Sequence, residues 1–358
     1  MAPKILYHAP ALPARLNAAP SRSVSVSPGQ LAWAAATVGR PDLDAVLDGP
    51  DADLEMSWRA GITLTSLTLS EDASTWVMHD RLRALDGSEK AVATYLLGGV
   101  SAKIFAEQLA GIPWLVHYDR YLRSIPVALT GRRPDFIGRR PPAEGSTTVL
   151  IEAKSRSSRV PPRVMDEALD KTRQERDRRH PGALAWAHGA YWTEGGEWRA
   201  TMRMDEPVHA PSAASESDED SSLIHDRLEA AYYRPIAAAI RARRAKMPHN
   251  DSDPALTTAR FAEIDLAISM PTPLYRTYSN AQYSDRPHEY ESAGSQLPVT
   301  DPVLSFSAGD GITASLGASW HERFEAAAQH NDDSSQGEND GDMVVGDDSV
   351  DLNETQWR

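Results

Sequence analysis

The chain has 358 residues, 41% apolar and 25% charged, ordinary values for a globular protein with room for about two domains. It contains no cysteine, which excludes disulfides, thiolate zinc sites, iron–sulfur clusters and a cysteine nucleophile. The net charge of −14 argues at first against a nucleic-acid partner, but Asp205–Asp220 holds six acids with no Lys or Arg, and Asn331–Arg358 holds nine acids with one Arg, which leaves 36 acids and 36 bases elsewhere.

In chain order, residues 1–20 are rich in Ala and Pro and read as poorly ordered. Residues 21–87 read as an N-terminal lobe, with strand-like runs at Ser23–Val26, Ile62–Leu69 and Thr75–Met78 and a short helix at Gln30–Thr37. The strongest helix signal is 88–110: Ser88 suits the N-cap, Ala91, Val92, Tyr95, Leu96, Val100, Ile104, Phe105 and Leu109 recur at helical spacing, and Gly111 ends it. Gly98-Gly99 inside this helix marks a kink or a close approach. Strands follow at Pro113–Tyr118, Pro134–Gly138 and Thr147–Ala153, then a basic helix at Arg163–Arg178 and a hairpin of Ala183–Trp192 and Trp198–Met204 around Gly195-Gly196. Residues 88–204 thus form an α/β (α+β) core. An acidic linker at 205–222 leads to a C-terminal lobe, 223–328, packed on the core, with a helix at Leu223–Lys246 and strands at Ala259–Met270 and Gly311–Leu316. Residues 329–358 read as a disordered acidic tail. No run of about 18 apolar residues exists and the N-terminus lacks a signal-peptide core, so the expectation is a cytoplasmic protein with no membrane span.

Chemistry concentrates in Pro134-Asp135 and Glu152-Ala153-Lys154. The apolar run Val149-Leu150-Ile151 ends abruptly in Glu-x-Lys, and the period-2 geometry of a strand puts Glu152 and Lys154 on one side. If the two strands pair, Asp135 and Glu152 meet at one hard cation, Mg2+ or Mn2+. Phosphodiester hydrolysis needs an activated water and neutralised phosphate charge, which a metal held by carboxylates beside a lysine supplies. Gly131–His180 also carries 13 Lys and Arg against 8 Asp and Glu, a basic patch around this position.

This pattern resembles the PD-(D/E)XK nuclease superfamily, the restriction-endonuclease-like fold, over about residues 88–204. The resemblance implies an αβββαβ core, Asp135 and Glu152 as Mg2+ ligands and Lys154 as the group that assists the water. Family members add a Glu from the first helix, for which Glu89 and Glu107 are candidates, and a Gln or Lys from the helix after the motif, for which Lys171 and Gln174 fit. Arg132, Arg133, Arg139, Arg140 and Arg156 are candidate phosphate contacts. Asp119 offers a further ligand from the neighbouring strand. His117 and His188 read as histidines of the sheet, and Trp186, Trp192 and Trp198 as packing residues rather than base-stacking ones.

The expected activity is metal-dependent phosphodiester hydrolysis, with DNA as the expected partner, in restriction, defence or repair. The competing reading is a nuclease-fold protein that binds nucleic acid or acts as a scaffold without turnover. DNA against RNA, specificity, oligomeric state and pathway are not written in the sequence.

Overall fold

The computed structural model describes residues 2–10, 12–13, 16, 22–39, 51–125, 127, 129–140, 147–207, 218–247, 251, 253–279, 305–307, 311–320, 322–324 and 326. Strands β1 (Lys4–His8) and β2 (Ser23–Ser25) open the chain, followed by helix α1 (Pro28–Thr37). Ser27 caps α1 by accepting from the Gln30 N–H, and Pro28 occupies its first turn. Helix α2 (Ala52–Ser66) runs into the small hairpin β3 (Leu67–Leu69) and β4 (Trp76–Met78), and α3 (Asp80–Ala84) leads to the long helix α4 (Gly87–Ala110). The cap of α4 is Asp86, not Ser88: its carboxylate accepts from the Ser88 and Glu89 N–H groups. Gly111, with φ 63°, closes the other end.

Strand β5 (Trp114–His117) passes directly into a short helix, α5 (Tyr118–Arg123), then come β6 (Phe136–Arg139), β7 (Thr148–Arg156), α6 (Pro162–Arg179), β8 (Leu184–Trp192) and β9 (Trp198–Asp205). Helix α7 (Asp218–Lys246) precedes β10 (Leu256–Phe261), β11 (Leu266–Pro271), α8 (Thr272–Ser279), β12 (Ser305–Ser307) and β13 (Thr313–Leu316).

The central sheet has the order β2-β1-β9-β8-β7-β6-β5. β1 pairs parallel with β9 and β7 parallel with β8, and the remaining neighbours are antiparallel. α4 packs on one face of β7 and β8 and α6 on the other, so β8 is buried along its whole length. The protein is therefore of mixed α/β class, with a mixed sheet between helices, consistent with α+β. A second antiparallel sheet, β10-β11-β13-β12, lies against α1 and α7. One continuous apolar core joins α1, α4, the central sheet, α7 and the second sheet.

Several expectations need correction. Residues 1–20 are not uniformly disordered: Lys4–His8 is a strand of the central sheet, with Ile5 fully buried. The stretch 21–87 is not a separate lobe, because β2 extends that sheet and α1 joins the common core. Ile62–Leu69 is strand only from Leu67, since Met56, Ala60, Thr63 and Leu64 bury one side of a helix that runs to Ser66. Ala259–Met270 is a hairpin of β10 and β11 rather than one strand, broken by a 3-10 turn at Ala262–Ile264 with Asp265 in the left-handed region. The linker is shorter than 205–222, as β9 reaches Asp205 and α7 starts at Asp218. The acidic tail 329–358 lies outside the described residues.

Candidate functional site

The antiparallel ladder of β6 and β7 pairs Phe136 with Ile151, so one step further sets Asp135 opposite Glu152, with Cα atoms about 5 Å apart by ladder geometry. Asp135 Oδ2 accepts from the Ala153 N–H at 2.8 Å, and its carbonyl accepts from the Tyr118 N–H at 2.9 Å. Both ends of this residue are thereby tied, one to β7 and one to α5.

Glu152 is fully buried. Its Oε1 receives Lys154 Nζ from its own strand and Lys171 Nζ from α6, each at 2.9 Å. Its Oε2 is buried and has no hydrogen-bond partner among the described residues. An orphaned carboxylate oxygen in a protein interior is costly and calls for an explanation. Burial, together with the Glu152 charge, pushes Asp135 up to about 7, against the opposing pull of Lys171, Lys154 and the Ala153 N–H.

The chain folds this way for local reasons. Val149 and Ile151 bury against the α4 side of the sheet, which turns Glu152 and Lys154 to the α6 side. There α6 presents an amphipathic face in which Met165, Ala168, Leu169 and Thr172 pack inward, and Lys171 stands beside them within reach of Glu152. On the opposite face Gly98 of α4 comes so close to β7 that a Cβ there would stand 2.7 Å from the Ser155 Cβ. Close approach, not a kink, is the use of this glycine.

One helical turn beyond Lys171, the buried Glu175 accepts from the Tyr118 hydroxyl at 2.7 Å and from Arg178 Nε at 2.8 Å, with Arg179 Nε at 3.2 Å. Tyr118 Oη also contacts His180 Nε2 at 3.0 Å. Arg178 further donates to the Thr130 carbonyl at 3.1 Å, on the loop that leads to Asp135. Neither Tyr118 nor Glu175 stood out in the sequence, because their pairing joins positions 57 residues apart and carries no spacing signal.

The other sequence candidates divide. Lys171 joins the cluster. Gln174 is exposed on α6, and Glu89 is exposed in the first turn of α4. Glu107 pairs with the buried Lys103. Among the described residues no group of three or more His, Asp or Glu is poised to hold a metal, so neither glutamate completes a cluster with Asp135 and Glu152. Arg133 is engaged with Asp119 at 2.5 and 3.2 Å. Burial raises Asp119, but the Arg133 guanidinium more than reverses this and holds it below the ordinary carboxylate range. Asp119 therefore belongs to a helix-borne ion pair, not to the end of a strand. Arg139 is buried, Arg140 donates to the Ala110 carbonyl, Arg132 is exposed and Arg156 is half-buried at the end of β7. His117 caps α5 through the Asp119 N–H. His188 is fully buried against Ser101 at 2.8 Å, and burial pushes it down to about 3. Trp186, Trp192 and Trp198 are all buried, which puts them in packing and not at a surface that meets bases.

Comparison with protein-family models, with curated proteins and with solved structures finds no match to this chain.

Proposed function

We propose that this chain is a divalent-metal-dependent nuclease with a restriction-endonuclease-like core. The order α4, β5, β6, β7, α6, β8, interrupted only by the short α5, supports the fold reading. The observation that carries the functional one is the Glu152 carboxylate: Oε1 shared by Lys154 and Lys171, Oε2 buried without a partner, and Asp135 opposite.

The donor set fits a hard cation. Asp135 and Glu152 would hold Mg2+ or Mn2+, and water with phosphate oxygens would supply the other ligands, as Mg2+ tolerates well. Such an ion, when bound, lowers the pKa of a coordinated water and offsets phosphate charge. The remaining roles fall to the chain. Lys171, largely buried, orients Glu152 through its ion pair with Oε1. Lys154, whose side chain is 37% exposed, can turn from Glu152 to an incoming phosphate or to the attacking water. The Ala153 N–H fixes Asp135. Arg132 and Arg156 are the cations left to meet the phosphate backbone, with DNA the expected substrate.

The test is incubation of plasmid, linear duplex and single-stranded DNA, and of RNA, with Mg2+ or Mn2+ and with EDTA. Cleavage should need the metal and fall to background in Lys154→Ala. Equal cleavage by wild type and Lys154→Ala overturns the proposal, and binding without cleavage under either metal favours a silent nucleic-acid-binding protein.

A further inference from the structure

The cleft bordered by Asp135 has a second set of walls that the carboxylate chemistry does not use. Tyr95 of α4 lines it together with Arg59 of α2, Gly98, Gly99 and Ser155. Tyr95 is 60% exposed, although Leu96, Leu97 and Val100 beside it are buried. Val92, one turn earlier on α4, is also exposed, as are Leu54 and Trp58, four residues apart on α2. α2 and α4 pack on one another, and Arg59, next to Trp58 in the chain, lines the cleft with Tyr95. Most large apolar side chains exposed among the described residues come from these two helices. A concentration of exposed aromatic and aliphatic groups at the mouth of a cleft marks a binding surface rather than chance exposure.

Tyr95 and Asp135 line the same cleft. A substrate phosphate brought to Asp135 would therefore bring its neighbouring nucleotide to the Tyr95 ring.

Resting on the phosphodiester-cleaving reading of Asp135 and Glu152, we propose that the surface at the mouth of this cleft takes unpaired nucleotides, with the Tyr95 ring stacking on a base beside the scissile phosphate and Trp58 extending the platform. The geometry excludes a base-paired ligand from that contact. In a duplex the base faces are covered by their neighbours and only edges are offered in the grooves. An exposed ring offers a face, which an unstacked base can use whatever its identity. Cations for the backbone lie beside the cleft in Lys154, between its lining residues Ala153 and Ser155, and in Arg156 next along β7.

The experiment is fluorescence anisotropy of the full-length chain in EDTA with a labelled oligo-dT single strand and with a duplex of equal length. The single strand should bind at least about 10-fold more tightly than the duplex. Tyr95→Ala should weaken single-strand binding by about 10-fold, Tyr95→Phe should preserve it, and Trp58→Ala should produce a smaller loss. Because Tyr95 is exposed, melting temperatures should be unchanged, which separates lost stacking from misfolding. The inference is overturned if Tyr95→Ala binds oligo-dT as wild type does, if the duplex binds equally well, or if neither binds. Binding in EDTA is independent of turnover. Cleavage by a protein whose binding ignores Tyr95 sinks the stacking alone, and stacking without cleavage under any metal sinks the nuclease reading alone.

Discussion

Two buried glutamates, Glu152 on β7 facing α6 and Glu175 on α6 itself, differ in one oxygen. Glu175 is satisfied on both: the Tyr118 hydroxyl and Arg179 meet Oε1, and Arg178 meets Oε2. Glu152 has two lysines on Oε1 and none on Oε2. A carboxylate that only holds a fold together is expected to use all its acceptor capacity, as Glu175 does. One that leaves an oxygen bare beside a second carboxylate is held ready for something the folded chain does not supply. A bare oxygen is not enough by itself, since the ion-paired Asp53 also has a buried Oδ2 without a hydrogen-bond partner among the described residues; what sets Glu152 apart is the second carboxylate, Asp135, opposite it.

The largest effect should come from Glu152→Gln. Under the nuclease reading cleavage falls on the order of 10³-fold. Stability should move by less than about 1 kcal/mol, because the amide oxygen still accepts from the lysines and Asp135, relieved of the Glu152 charge, ionises to balance them. Glu175→Gln should invert this pattern, with a loss of about 2 kcal/mol read by urea denaturation. That is below the roughly 3–5 kcal/mol of a fully buried pair because Arg178 and Arg179 reach solvent. If the two variants lose stability equally, the distinction collapses.

A third buried titratable group sharpens the comparison from the other face of the sheet. His188 is held near 3, below its ordinary 6.5, so it stays neutral in the fold while the unfolded chain takes up a proton. Its contribution is present above pH 6.5 and is lost as pH falls toward 3. Between pH 6.5 and 5.5 it should cost about 1 kcal/mol, and His188→Gln should flatten that part of the stability–pH curve. The smallest effect concerns Asp135. Lys171 is the strongest of the groups that lower its pKa, so Lys171→Met should carry it above about 7. Asp135 must be ionised to hold a cation, so the rising limb of the pH–rate profile should move to higher pH. An unmoved limb would remove Asp135 from the titration that controls activity.

Much of this arrangement was legible in the sequence. The α4 periodicity, the apolar run entering Glu152 and the Gly195-Gly196 hairpin are local signals, and each produced the element expected of it. The register that sets Asp135 opposite Glu152 followed from treating two short strands as a pair. What escaped is non-local. The HYDRY segment reads as strand until His117 caps a helix, which takes Asp119 out of the sheet and gives it to Arg133. Lys171 and Gln174 both fitted one face of a basic helix, and only the packing of α6 on β7 distinguishes the buried ammonium from the exposed amide. Nothing in the composition of residues 4–8 announces a partner nearly two hundred residues away.

That partner is β9, beside which β1 lies in parallel, with Leu6 opposite Arg199. The consequence is temporal. During synthesis β1 and its hairpin partner β2 emerge long before β9 exists, so the sheet cannot close until the chain has passed Asp205. The entropy of closing so long a loop makes this a late and slow event. Between the synthesis of β9 and the docking of β1, β9 has a bare hydrogen-bonding edge, which invites a second chain to pair with it. Removing the first eight residues would make that interval permanent, and such a truncated chain should accumulate as aggregate rather than as a folded protein with a missing tail.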